Sequence, residues 1–446
     1  MSQGNRSRGG HRGGPRGNSY NRDSSGHHKS HNAPPIQKSF QQKMISIRIE
    51  AKNVPLIKTS KYIIQDLAMM KERLNESKSK LDGYYLKSKI DSDFNKNWLY
   101  FQSIIDLYKG MRDEFVKRAN AKHVTNASMK YHELYSYFNL LPSASAFFNA
   151  ELPGAALCMF NHDMKTLHPG SRFDWYASSL VPSDSHAGST ALGDIYGLWE
   201  MNKSKWLMTV EETKGYRNDG DATVPANIND FAKKVGPGSA VNGVELYSHD
   251  AGIDVSTDAD GNLGFNNQEL ANAKLHFGCA LAGLKTLRVG GSFIAKQYTL
   301  FETFTWNLIL IYSQMFTEFY ICKPLTSRPY NSEIYLVGKG FLGLDPETEN
   351  VLMDRLANFN TDPFIPIDAV NVLFAEQLGD IIRFARIVFQ QQIAFIEENL
   401  QLFETYKSNL GALRAGLENL KAERVASWFK LHPVKPISDQ DQLASK

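Results

Sequence analysis

With 446 residues, 42% of them hydrophobic and 22% charged, the chain has apolar material for two or three cores and the balance of an ordinary soluble protein, which excludes fibrous and membrane-spanning classes. The net charge of +3 is too small to argue for a nucleic-acid partner by itself, so its distribution is the informative part. Cys158, Cys279 and Cys322 lie far apart with no CxxC pair, which argues against a disulfide framework or a zinc site and for a reducing compartment.

Residues 1–40 place Arg6, Arg8, Arg12, Arg16 and Arg22 among glycines and serines with almost nothing to bury. Such a segment is predicted to be a disordered basic arm, either a loose binder of single-stranded RNA or a solubilising tail. It lacks the apolar stretch of a signal peptide, and its histidines have no fixed geometry for a metal. Over residues 41–122 apolar positions recur at helical spacing, as in IIQDLAMMKERL and WLYFQSIIDLYKGMRDEFVKR, and predict a helical N-terminal region. From 123 to 341 short apolar strands alternate with helical stretches: SAFFNA, FDWYASSL, DATV, GVELYSHD, GGSFIAKQY, EFYICKP and EIYLVGK. That alternation predicts an α/β domain with a mostly parallel sheet. Within it WNLILIYSQMF is too short for a bilayer span and reads as a core helix. Residues 342–446 return to helical periodicity, and their long apolar stripe offers a packing, partner or oligomer surface.

In an open α/β sheet, ligands bind at the carboxyl ends of the strands. Three such places carry unusual chemistry: the turn Glu151-Leu152-Pro153-Gly154 after SAFFNA, Asp250-Ala251-Gly252 after GVELYSH, and Lys296 inside FIAKQY. A lysine in a buried strand is unfavourable unless paired, and Asp250 is a natural partner. Glu333 poses the same problem at the opening of EIYLVGK. Residues 258–269 mimic a calcium loop but put Leu263 where the turn requires glycine, so no metal site is expected. There is no GxSxG elbow. Trp175, Tyr176, Trp199, Trp206 and Tyr216 offer stacking surfaces for a base, or simply core.

The run from His249 to Phe341, with HDAGIDVS, NNQELANAKLHFGCALAGLKTLRVGGSFIAKQYT and KPLTSRPYNSEIYLVGKGF, preceded by NASMKYHELY and ELPGA, resembles the FtsJ-like RNA ribose 2′-O-methyltransferases. It looks most similar to the cap-specific mRNA branch, including versions from large cytoplasmic DNA viruses. The resemblance covers about the middle half of the chain. It implies a Rossmann-like methyltransferase domain flanked by helical regions, S-adenosyl-L-methionine as cofactor, and a Lys-Asp-Lys-Glu tetrad at Lys130, Asp250, Lys296 and Glu333. It further implies that the donor lies over Glu151, Leu152, Pro153, Gly154 and Ala155, with Asp221 on the adenine amino group and Asp250 near the methionine end. Lys296 is the expected base, with its amine kept neutral by burial and by Lys130 as a second cation. The turn departs from the family's glycine-rich form, with Ala150 and Ala155 in place of glycines, a change that bears on cofactor affinity rather than on the reaction. The expected partner is RNA, most specifically capped mRNA, in the cytoplasm, in a virus factory or virion for a viral protein, or in the nucleus. Methylation of ribosomal or transfer RNA, and a silent RNA-binding subunit of a capping complex, are the competing readings.

Overall fold

The computed structural model describes residues 44–53, 56–57, 59–108, 110–181, 193–211, 215–253, 255 and 264–444. The basic arm, the first half of the calcium-like loop and the Tyr216 side chain lie outside the described residues. In chain order, strand β1 (Ile45–Arg48) precedes helices α1 (Gln65–Ile90), α2 (Ser92–Ile105), α3 (Met111–Ala119) and α4 (Asn126–Tyr137). Next come β2 (Ser145–Asn149), α5 (Ala155–Leu167), β3 (Asp174–Ala177), the short α6 (Leu198–Met201) and an antiparallel pair, β4 (Thr209–Glu211) with β5 (Gly215–Asn218). Then follow α7 (Pro225–Val235), β6 (Val244–His249), α8 (Gln268–Thr286), β7 (Leu287–Tyr298), α9 (Thr303–Ser313), β8 (Phe316–Lys323) and β9 (Glu333–Phe341). Helices α10 (Pro346–Ala357), α11 (Ile367–Leu373), α12 (Ala375–Tyr406) and α13 (Leu410–Leu431) end the chain.

Seven strands form one mixed sheet in the order β1-β8-β9-β7-β6-β2-β3. Its core, β3-β2-β6-β7, is parallel, and β9, β8 and β1 continue it antiparallel. The strands read as continuous apolar runs because both faces are covered. Phe147, Tyr247, Phe293 and Ile334 enter one core cluster, whereas their neighbours Phe148, Leu246, Ile294 and Tyr335 enter the other, the period-two alternation of a strand. The chain leaves β2 for β3 on one side and returns to β6 on the other. That reversal opens a crevice at the carboxyl ends of β2 and β6. Because β9 runs antiparallel to β7, its first residue, Glu333, pairs with the last of β7, Tyr298. Glu333 therefore opens its strand at the edge where the parallel strands end.

Two expectations need correction. DATV is no strand: the Asp221 carboxylate accepts the Thr223 N–H at 2.8 Å, and Val224 caps α7 with Pro225 at its first turn. The segment read as purely helical contributes the edge strand β1, which pairs with β8, and the β4–β5 pair was not anticipated. The C-terminal helices pack on the N-terminal ones. Trp98 and Phe101 of α2 share a core with Phe395, Leu402 and Phe403 of α12 and Leu413 of α13, so part of that apolar stripe is buried within the chain. Cys158, Cys279 and Cys322 are unpaired. Among the described residues no helix is long and apolar enough to cross a membrane.

Candidate active site

Helix α4 starts with a capping box: Thr125 Oγ1 accepts the Ser128 N–H at 3.3 Å and Ser128 Oγ accepts the Thr125 N–H at 3.0 Å. This fixes the first turn of a helix whose next residues are almost all buried. Lys130 donates to Glu333 Oε1 at 2.5 Å, and the Tyr131 hydroxyl donates to the His249 carbonyl at 3.1 Å, beside Asp250. Glu133, one turn after Lys130, accepts the backbone N–H groups of Leu325 and Thr326 at 2.6 and 2.9 Å and the Trp428 indole N–H at 2.9 Å. One helix thus delivers a lysine and clamps the loop that leads to Glu333. Replacing Trp428 with phenylalanine keeps the ring but removes a donor to a fully buried carboxylate. We expect a loss of about 1–3 kcal/mol in urea denaturation and a lower turnover, because the 325–326 segment is released from Glu133.

At the strand ends, the Lys296 ammonium donates to the Asp250 carbonyl at 2.9 Å and lies 3.0 Å from its Oδ1. The Tyr335 hydroxyl donates to Glu333 Oε1 at 3.0 Å, so Glu333 Oε1 serves both Tyr335 and Lys130. Burial pushes the Glu333 carboxyl up, but Lys130, Lys296 and Lys323 outweigh it and hold it well below the usual carboxylate range. Lys323 is a site residue that sequence reasoning missed. Its amine donates to Ser327 Oγ, to the Asn331 carbonyl and Oδ1, and to the Glu333 carbonyl at 2.8–3.0 Å. Those oxygens suit the three donors of an ammonium, although burial pulls its pKa down to about 7. Lys323 therefore fastens the loop from 327 to 333 from beneath.

The expected neutral state of Lys296 does not match these surroundings. Burial alone lowers its pKa, yet Asp250, Tyr298 and Glu333 outweigh burial and raise it above the ordinary lysine value. The second cation expected to depress it, Lys130, has its own carboxylate in Glu333. Asp250 is left to Lys296.

Beside this cluster lies a cleft of about 690 Å³ whose walls include Ala150, Glu151, Leu152, Pro153, Ala155, Asp250, Lys296 and Tyr298. Lys130 and Glu333 stand behind Lys296 and do not line it. Gly154 is turned away from the cleft: it caps α5 at φ +108°, and a Cβ there would lie 2.0 Å from Leu198 Cδ1. Its glycine is required by backbone conformation and by close packing. Ala150 holds φ +51°, the left-handed region that disfavours a side chain by about 1–2 kcal/mol. Gly252 leaves room at the opposite wall, since a Cβ there would sit 2.7 Å from the Tyr298 hydroxyl.

The Glu151 carboxylate turns into the helix and accepts the Leu157 N–H at 2.8 Å through Oε1. Its Oε2 is buried with no hydrogen-bond partner among the described residues. Burial and Asp250 push its pKa up to about 8 against the backbone donors. Asp221 does not line the cleft, and its carboxylate is engaged in its own turn. Trp175 and Trp206 are core residues. Trp199 packs against the same core, and Tyr176 bonds to Asp174, so none of these four lines the cleft. Among the described residues no group of three or more histidines, cysteines or carboxylates is placed to hold a metal.

Known proteins share this chain's sequence over long stretches. The FtsJ-like methyltransferase family profile matches residues 183–341. The probable methyltransferase EP424R of African swine fever virus is 36% identical over 376 residues, 83% of this chain and 84% of its own. A mouse cap-specific mRNA (nucleoside-2′-O-)-methyltransferase 2 is 27% identical over 344 residues, covering 74% of this chain and 42% of its own. A solved ribosomal RNA methyltransferase structure from Plasmodium falciparum covers 49% of this chain and 99% of its own at 17% identity, with a TM-score of 0.28, too loose a superposition to bear on this fold. A viral relative matched across most of both chains, a family profile ending at the strand that Glu333 opens, and a paired lysine on the cleft wall agree: the chain belongs to the FtsJ-like methyltransferase family.

Proposed function

We propose that this chain transfers a methyl group from S-adenosyl-L-methionine to a ribose 2′-hydroxyl of RNA, at the cap-proximal nucleotide of mRNA. The observation that carries the reading is the Lys296–Asp250 pair on the cleft wall, backed by the buried Lys130–Glu333 pair. The donor supplies a methyl on a cationic sulfonium. Glu151, Leu152, Pro153 and Ala155 would hold it, with Gly154 shaping the turn and Asp221 meeting the adenine after a rearrangement of its loop. The residues fit such a ligand, because the carboxyls of Glu151 and Asp250 on the cleft wall suit a molecule that brings positive charge.

The chain's own residues then position and deprotonate. Lys296 directs its amine at the hydroxyl and accepts its proton once the amine has been neutralised, while Asp250 orients it. Lys130, Glu333 and Lys323 fix the wall behind. Alignment of the hydroxyl with the methyl contributes several kcal/mol, up to about 7–11 in the best oriented reactions. The cap assignment is supported by the name of the mouse relative. The test is initial rates on one RNA in capped, uncapped and target 2′-deoxy forms, with the methylated position mapped by nuclease digestion. The deoxy form should give no product, and the capped form should lead by roughly ten-fold, the effect of about 1–2 kcal/mol for a desolvated cationic guanine on an aromatic face. Equal rates with and without the cap would move the target to internal RNA sites. A methyl on a base would remove the ribose mechanism.

Glu151 adds a prediction about pH. A carboxyl with a folded pKa near 8 is protonated at neutral pH, and a cationic ligand favours its ionised form. Donor binding should therefore release a proton below pH 8 and tighten as pH rises to that point. Without ligand, the sign for stability is opposite: the folded state binds the proton more tightly, so Glu151's contribution is full below the unfolded carboxyl pKa and lost as pH rises towards 8. Calorimetry in two buffers of different ionisation enthalpy reads the released proton, which Glu151→Gln should abolish. An unchanged proton count in that variant would refute the assignment.

A further inference from the structure

A second depression, of about 330 Å³, lies beside the cleft and shares Arg112 and Asn126 with its walls. It is formed by Asp106 and Tyr108 from the α2–α3 connection, Arg112 at the start of α3, and Arg328 and Tyr330 from the loop that ends at Glu333. The depression therefore meets the cleft at Arg112 and Asn126 and runs onto the N-terminal helical region.

Its walls set two arginines, Arg112 and Arg328, against two carboxylates, Asp106 and Asp113, beside a partly exposed aromatic ring. Tyr330 is 36% exposed and stacks on Phe395, with ring centroids 6.0 Å apart and planes 25° apart, which braces one face. The Arg328 guanidinium lies 5.8 Å from the Tyr330 ring centroid, and its Nε is buried with no hydrogen-bond partner among the described residues. Among the described residues each arginine has a long contact to a carboxylate: Arg328 to Asp106 at 3.5 Å and Arg112 to Asp113 at 3.8 Å. Both distances exceed a good hydrogen bond. Contacts this long contribute little, most clearly the exposed Arg112–Asp113 pair, and a phosphate, which takes two parallel guanidinium donors, competes with them. Asp106 is in the wall for a local reason, since its Oδ1 accepts the Tyr108 N–H at 3.0 Å.

We propose that this depression holds the nucleotide next to the one whose ribose faces Lys296, with its base on Tyr330 and its phosphodiester between Arg112 and Arg328. The proposal rests on the reading of RNA as substrate and adds a site that orients the strand. Base stacking on an aromatic platform with arginines along the backbone is the usual means of gripping a single strand.

The test is fluorescence anisotropy of a short labelled single-stranded RNA with the full-length protein over a salt series. Arg112→Gln and Arg328→Gln should each weaken binding about five- to ten-fold and lower the slope of log K against log salt by about 0.7, one phosphate contact on a single strand. Tyr330→Ala should weaken binding with the slope unchanged. Arg328→Lys keeps the charge with little disturbance of the fold and should retain the slope while losing part of the affinity. Arginine variants that bind with wild-type affinity, or weaken without a change in slope, overturn the proposal. Wild-type protein that binds no RNA overturns it as well. Wild-type protein that binds RNA but methylates no 2′-hydroxyl overturns the reaction, while the variants still decide the site; methylation by the wild type with wild-type binding by both glutamine variants does the reverse.

Discussion

Lys296→Ala should lower methyl transfer by a factor of roughly 10³ or more, within the range by which positioned general bases act, while donor affinity stays within a few-fold. The lysine meets the reacting hydroxyl, whereas the donor's anchoring groups lie on the 151–155 turn, so the loss belongs in kcat rather than in donor binding. The fold should survive, because Asp250 borders the cleft and water can replace its lost partner. The protonation state supplies a second readout. Since Asp250, Tyr298 and Glu333 overcome burial and raise the Lys296 pKa, the neutral amine is a minor species at pH 7, and its population grows tenfold with each pH unit below that pKa. The wild-type rate should therefore climb with a slope near one in log kcat from about pH 6 to pH 9, the behaviour of a base used far below its pKa. Single-turnover rates across that range, with donor binding followed by calorimetry, test both statements. A flat profile would mean that another group takes the proton.

The sequence carried the site's charged residues but not their pairing. Asp250, Lys296 and Glu333 were legible because each is a charge where the apolar pattern demands none: at a strand end, inside a strand and at a strand opening; Lys130 came only through the resemblance of its segment to the family. The sheet was legible for the same reason, since strands covered on both faces are uninterrupted apolar runs. Partnership was not legible. Lys130 read as the cation that would depress Lys296, but it meets Glu333, 203 residues away, and leaves Asp250 free to raise Lys296 instead. Glu133 stands in the same quoted segment as Lys130, yet a glutamate on a helix usually reads as solvated. Its burial follows from donors at Leu325, Thr326 and Trp428, up to 295 residues away. Lys323 was hidden at the end of an apolar strand, where nothing local shows that the loop after it folds back over the amine. The strand β1 was missed because four residues in a helical neighbourhood gain their structure only from pairing with β8.

Breaking the buried pair from its two ends should give unequal results. Lys130 and Glu333 side chains are each only 9% exposed, and removing one partner of such a pair typically costs about 3–5 kcal/mol because the other is left uncompensated. Glu333 faces three lysines, however, whereas Lys130 donates to one carboxylate. Glu333→Leu strands the Lys130 ammonium and should approach the full penalty, although Lys323 keeps Ser327, Asn331 and the backbone carbonyl of residue 333. Lys130→Met leaves Glu333 with Lys296 and Lys323 and should cost distinctly less. The double variant should recover part of the loss, with a coupling of about 1–3 kcal/mol, since two apolar groups replace two buried charges. Its activity should not recover, because Lys296 has lost the carboxylate behind it. The acid limb follows from the same pair. A glutamate held well below its ordinary pKa contributes its stability fully above the unfolded value, about pH 4.3, and loses it only as pH falls towards the folded pKa. Glu333→Leu should therefore flatten the wild-type decline in stability below pH 4. Urea denaturation of the four proteins at pH 7 and pH 3, with initial rates at pH 7, separates the roles: a double variant as fast as wild type would reduce the pair to scaffolding.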